Sequence, residues 1–399
     1  MNSPRPSPIP EGSILLHVGM HKTGTTAIQG VLTSLRPQLA ALGVDYPGQE
    51  PGHHLPARAV LELRAPWRGS TPDPQVWDEF VRLVDASAAP RRIISSERFS
   101  AADDDQVSRI ATDLGSDRLH VVIGARHFAL TGVSLWQQSL KRGKTDTLDQ
   151  WLAERFLRTY DNPVPRFWRL HDPGVVAERW ANVLGPDRVS VIVVDEQDHD
   201  LLPAAFEDLL ALPPGTLSSA TVPVSNRSMT AAEAELSRLT NVALKKQLKW
   251  SEYEAFARLG AMSRMTEQRR PDKDEPRIPV PGWMADMALG EGARVAATLT
   301  EAGVNVIGDL ENLTKPIPAH RLSETAVALP SEVPVQAAVE AVAGAVLAGR
   351  EDRRRLRQKL KATRQALGEG RVDQLTSRQL ASILWQRLAL ATKRRIFRR

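Results

Sequence analysis

The chain has no cysteine in its 399 residues, so disulfides and thiolate metal sites are excluded. It has no run of about eighteen apolar residues, which argues against a membrane-spanning helix. The proline-rich start, residues 1–12, has no apolar signal core and reads as a disordered tail. A cytoplasmic location is the expectation that fits these absences. Charge is scarce in sum but uneven in place. The net charge is +5, yet residues 350–399 hold sixteen Lys and Arg against four Asp and Glu, a balance of +12. The chain before them is then mildly acidic, which marks a separate basic tail.

The remaining pattern is that of a large α/β domain. Apolar runs at 13–18, 91–95, 119–125 and 189–194 read as buried strands. Helical patterns at 76–86, 101–114, 128–141 and 173–184 lie between or beside them. Such alternation predicts a central parallel sheet with helices on both faces. After Pro214 the pattern turns helical, with a long amphipathic candidate over 230–250 and a charged, proline-rich loop over 269–281. The expected organisation is a tail over 1–12, an α/β domain over 13–315, a linker over 316–335 with several prolines, and a basic helical segment over 336–399.

The most informative stretch is Val18-Gly19-Met20-His21-Lys22-Thr23-Gly24-Thr25-Thr26. A strand precedes it and a helix follows. Strand, glycine-bearing loop and helix together present backbone N–H groups to an anion. Gly19 and Gly24 keep the glycine spacing of the nucleotide-hydrolase loop, but Thr25 stands where that loop has its lysine. Lys22 reaches the anion from mid-loop instead. A γ-phosphoryl group usually needs Mg²⁺ to neutralise it. A sulfuryl group carries less charge, so the displaced lysine favours a sulfate donor over ATP.

These residues resemble the 5′-phosphosulfate-binding loop of the PAPS-dependent sulfotransferases, which reads K-[ST]-G-T-[ST]. The resemblance implies that His21, Lys22, Thr23, Gly24, Thr25 and Thr26 hold the donor. His21 stands where the family often has proline. The strand 119–125 ends at Arg126, and Ser134 follows eight residues later. This spacing resembles the family's 3′-phosphate clamp; arginine offers a forked, charge-assisted bond and serine a hydroxyl. The strand 189–194, the acidic turn Asp195-Glu196 and the segment ending at Leu212-Pro213 also resemble the family, and the two acids read as structural. The family's late R-K-G segment is missing, and Arg227 is the weak substitute. Together these imply a P-loop-type three-layer α/β fold, a bacterial branch of the family, PAPS as donor and no metal.

The acceptor's proton needs a base. Glu97, after the strand ending at Ser95, resembles the glutamate base of several sulfotransferases; its plain alternative is a surface residue beside Arg98. His53 and His54 sit in a loop that can cap a pocket, and His54 is the second candidate. Lys22 stabilises the departing phosphate. The acceptor is a hydroxyl of a carbohydrate, glycolipid or small metabolite; no motif names it, and its pocket falls to the loops 43–75, 144–172 and 240–285. The basic tail, with Trp385 and a cationic end, docks internally, packs against a partner or contacts the inner membrane surface. It has no interleaved aromatic platform for nucleic acid. Two other functions remain open: an ATP-dependent small-molecule kinase, and an inactive scaffold whose tail binds a membrane or partner.

Overall fold

The computed structural model describes residues 6–64, 70–157, 166–220, 227–244, 247–324, 329–330 and 332–368. Its strands are β1 (Ile14–Gly19), β2 (Val44–Asp45), β3 (Arg91–Ser95), β4 (Leu119–Ala125), β5 (Val189–Val193), β6 (Val280–Pro281), β7 (Asn305–Ile307) and β8 (Leu322–Ser323). Six of these form one sheet in the order β2-β3-β1-β4-β5-β7, parallel throughout. β6 and β8 pair separately.

Helices cover both faces. Ile14, Leu16 and Val18 of β1 enter the larger core with Trp77, Phe99, Trp136 and Trp180. Leu15, between them, enters a second core with Ile28, Leu32 and Phe206. A strand buried on both faces has no use for polar alternation, which is why its sequence reads as a continuous apolar run. The result is the expected three-layer α/β fold of P-loop type. β1 is central, and the chain builds to one side of it through β2 and β3 and to the other through β4, β5 and β7. That change of direction is where open α/β sheets place ligands, beyond the carboxyl ends of the strands.

The four expected helices appear as Gln75–Asp85, Asp104–Leu114, Phe128–Leu140 and Pro173–Leu184. The second starts three residues later than its pattern because Asp103 and Gln106 form a reciprocal capping box. The long candidate over 230–250 gives the helix Ala231–Leu244; a new helical turn then starts at Trp250 and continues as a π-helical stretch, Glu254–Met262.

Three expectations about chain organisation change. The segment expected to be a disordered tail is tied down over its second half. Ile9 is buried in the second core, its N–H donates to the Leu209 carbonyl, and its own carbonyl accepts from Arg91. The expected loop over 269–281 carries buried Ile278 and Val280 and a buried Arg269. The expected linker over 316–335 packs Ile317 into the main core and supplies β8. Proline content misled in each case: proline removes donors but still buries its neighbours.

The basic segment begins with the helix Val335–Gly368. It lies close against the π-helical stretch, because Gly344 and Gly260 meet there: a Cβ on Gly344 would stand 2.2 Å from the Gly260 carbonyl oxygen. Arg264 and Glu340 pair at 2.8 Å across the same contact. The later apolar stretch around Trp385 lies outside the described residues. Among the described residues no helix is long and apolar enough to cross a membrane.

Candidate active site

The loop after β1 is bent by its backbone. Gly19 and Gly24 have φ of 79° and 89°, and Met20 and Lys22 also lie at positive φ, 146° and 74°. Left-handed backbone at a side-chain-bearing residue costs about 1–2 kcal/mol. Strain of this kind concentrates at functional loops. Backbone of alternating handedness is also what builds an anion-binding nest from successive N–H groups. The helix Thr25–Ser34 follows directly, and no side chain caps its N-terminus.

The neighbouring strand ends leave room for this loop and hold it. A Cβ on Gly19 would stand 2.8 Å from Glu97 Cβ, and one on Gly124 would stand 2.4 Å from Thr23 Oγ1. Only glycine fits at both places. The Thr23 hydroxyl donates to the Met20 carbonyl at 2.8 Å, and Thr25 Oγ1 reaches the same oxygen at 3.4 Å. Both hydroxyls thus brace the turn from within. Thr26 is exposed.

Arg126 sits where the sequence places it, at the end of β4. Its Nη1 donates to the Lys22 carbonyl at 3.0 Å, and its Nε donates to Glu196 Oε1 at 2.7 Å. Two of its five donors therefore join the loop to the acidic turn after β5, where Glu196 has the structural role expected of it. Ser134 lies in the helix Phe128–Leu140, partly buried, and no hydrogen bond joins it to Arg126. Arg227 is committed elsewhere. Its guanidinium grips the fully buried Glu233 with two bonds of 2.7 Å, and Arg269 binds the same carboxylate at 2.8 Å. This network pins the loop around residue 270 and corrects the idea of Arg227 as a phosphate ligand.

The two adjacent histidines separate cleanly. His53 is buried; Nε2 donates to the Pro47 carbonyl at 2.8 Å while Nδ1 accepts from the Ser95 N–H at 2.9 Å. Burial pushes it down to about 4, so it is a neutral structural residue. His54 faces the site instead. Its Nδ1 is 2.9 Å from Ser96 Oγ and 3.5 Å from Glu97 Oε2. Glu97 also has Arg98 at 3.9 Å. Both candidate bases therefore meet beside Gly19. His17, one strand inward, is another neutral histidine, pushed by burial to about 3 and bonded to Ser95 Oγ at 2.9 Å.

The electrostatics are one-sided. Burial pushes the Lys22 ammonium down to about 8, and the charges of Lys141, Arg126 and Arg142 push the same way, with Glu97 opposing. Burial holds His21 well below the ordinary imidazole range, helped by His171, Arg98, Arg142 and Lys22. Its ring stacks on His171 at 5.5 Å, and His171 stacks on Phe167 at 4.5 Å. The sequence gives no sign of His171, Arg98, Lys141 or Arg142 as site residues, because they come from three separate segments: after β3, after the helix Phe128–Leu140, and before the helix Pro173–Leu184. The one available clue is Asp172-Pro173, a helix start that fixes where His171 ends its own short helix. Among the described residues no group of three or more His, Asp or Glu is placed to hold a metal ion.

No protein-family model matches the chain. No curated protein matches it either. Among solved structures, a sulfotransferase from Alicyclobacillus acidocaldarius is similar over 60% of this chain and 94% of its own, with 15% identity and a TM-score of 0.36.

Proposed function

We propose that the chain is a sulfotransferase that moves a sulfuryl group from PAPS to a hydroxyl. The observation that carries this reading is a strained, glycine-bounded loop whose central lysine is half-buried among other cations. A desolvated lysine with like charges around it is a poor arrangement for an empty protein and a good one for an anion. The side-chain set fits the donor. The N–H groups of the loop and of the Thr25–Ser34 helix suit its 5′ end, and Arg126 suits its 3′-phosphate. When bound, the donor supplies a sulfuryl group already joined to a good leaving phosphate.

The chain's own residues then divide the work. Lys22 offers charge and a proton donor to the phosphate oxygen as the sulfur–oxygen bond breaks. The acceptor oxygen bonds to sulfur as its proton passes to Glu97, with His54 beside that carboxylate to orient it or to take the proton in its place. Glu97 lies against Gly19, so the base and the anion loop are fixed to one another through backbone contact. The acceptor is read as a carbohydrate, glycolipid or small metabolite, and cytoplasmic placement with peripheral contact at the inner membrane surface suits a lipid-linked one.

A thermal-shift comparison tests the reading. Adenosine 3′,5′-bisphosphate should raise the unfolding midpoint of the wild-type chain. Stabilisation by Mg-ATP alone would replace the proposal with the kinase reading. A tail-truncated and a full-length chain that both lack transferase activity with labelled donor would favour the scaffold.

A further inference from the structure

The cations around Lys22 fall into two groups. In one, Arg126 joins Lys22 to Glu196, and Arg321 lies within electrostatic reach of both Arg126 and Glu196. This group has its carboxylate in Glu196 and lies where the donor's 3′ end is expected. The other is Arg98, Lys141 and Arg142. Arg142 feels Arg98, Arg258 and Glu97, and His21 feels Arg98, Arg142 and Lys22.

The second group is short of counter-charge. Arg98 Nε is buried with no hydrogen-bond partner among the described residues, and its neighbour Glu97 stays 3.9 Å away. Among the described residues neither Lys141 nor Arg142 forms an ion pair. Arg258 is already paired with Glu254 at 2.8 Å. Glu233, which reaches Lys141 electrostatically, is held by Arg227 and Arg269. That leaves Glu97 and Glu267 to face four cations, Lys22, Arg98, Lys141 and Arg142. One of those carboxylates, Glu97, is also a candidate base. The donor's phosphosulfate answers Lys22 and does not need the rest.

The geometry points to an acceptor that is itself an anion: a hydroxyl compound carrying a carboxylate, sulfate or phosphate that seats on Arg98 and Arg142, on the His21 side of Lys22. This rests on the sulfuryl-transfer reading. Glu97 is 3.9 Å from Arg98, acts on Arg142 and lies against Gly19 of the loop, so an acceptor anchored by its charge on the two arginines brings a neighbouring hydroxyl to the base. The His21–His171 stack, kept neutral by burial, lies within electrostatic reach of Arg142 and has flat rings that suit a sugar or aromatic group.

The test uses the full chain saturated with adenosine 3′,5′-bisphosphate, titrated with two acid–neutral pairs: glucuronate and glucose, then 4-hydroxybenzoate and phenol. Binding is read by calorimetry at fixed ionic strength. The expected result is that an acid binds and its neutral partner binds at least about tenfold more weakly. Arg98→Gln and Arg142→Gln should each cut acid binding by about tenfold while the nucleotide dissociation constant stays within twofold, and Arg142→Lys should recover most of it. Neutral partners that bind as well as the acids, or no binding by either acid, overturn the inference. So does loss of nucleotide affinity in the two glutamine variants, since the arginines would then serve the donor. A wild-type chain that ignores the nucleotide yet binds glucuronate through Arg142 overturns the donor reading and leaves the anionic seat standing.

Discussion

Replacing Lys22 by methionine should make the ligand-free protein more stable and its loop useless. Burial and neighbouring cations push Lys22 from an ordinary 10.5 down to about 8. At pH 7 the side chain is still charged, so the folded state holds a charge it disfavours. Each tenfold change in a proton affinity is worth 1.36 kcal/mol, which makes the cost of that charge about 3 kcal/mol. The partly exposed ammonium is screened by water, so a gain of about 2 kcal/mol is the working figure. Methionine keeps the length of the chain and the backbone strain and removes only the charge. For a chain of this size the midpoint should rise by about 2–4 °C. The pH dependence fixes the cause. Between about 8 and 10.5 the unfolded wild type binds more protons than the folded one, so wild-type stability gains on the variant as pH rises. The advantage of Lys22→Met should therefore be full at pH 7 and fade by pH 10. In the same scans adenosine 3′,5′-bisphosphate should stabilise the wild type and not the variant. A variant that is less stable at pH 7, or whose advantage does not change with pH, would refute the argument that this lysine is held at a cost for the sake of a ligand.

Other substitutions separate scaffold from chemistry. Gly124→Ala drives a Cβ to 2.4 Å from Thr23 Oγ1, so it should cost about 1–3 kcal/mol and weaken nucleotide binding together, as read by denaturant melts and calorimetry. Glu97→Gln should lower kcat by about 10²–10⁴ with the nucleotide dissociation constant unchanged, and His54→Ala should lower it less; the reverse order in a steady-state assay would make His54 the base. Glu233→Gln leaves two arginines without their shared carboxylate, and about 3–5 kcal/mol of stability should be lost in a melt that leaves the anion loop's chemistry alone.

The sheet was largely legible because its strands are buried on both sides. Continuous apolar runs gave β1, β3, β4 and β5 to within a residue or so at each end. β2 and β7 escaped because strands of two and three residues at the sheet's edges carry too little pattern to stand out. The bend of the loop after β1 was legible for a different reason: glycines at fixed spacing report positive φ directly, and Gly19 and Gly24 are both there. Gly124 was hidden within a strand pattern, although its lack of a side chain is what admits Thr23. Polar commitments could not be read at all. Whether Arg227 meets a phosphate or Glu233, and whether His53 or His54 meets a substrate, depends on partners 6 and 42 residues away in the chain.

That same distance in sequence explains how the site keeps its shape without a ligand. Its parts come from the ends of β1, β3, β4 and β5, and each is fastened to another by a contact that involves backbone: Glu97 to Gly19, Thr23 to Gly124, Arg126 to Lys22, and the Val194 N–H to the Ala125 carbonyl at 2.8 Å. Backbone contacts of this kind do not depend on the charge of the site. The repulsion among Lys22, Arg98, Lys141 and Arg142 can therefore persist in the folded chain, held against by packing in two cores, until an anion answers it. Removing Lys22 should then stabilise the protein, whereas removing a fastening contact such as that at Gly124 should destabilise it, although both weaken nucleotide binding. Opposite signs of stability change with the same loss of ligand would distinguish a preorganised charged site from a loop that only folds around its ligand.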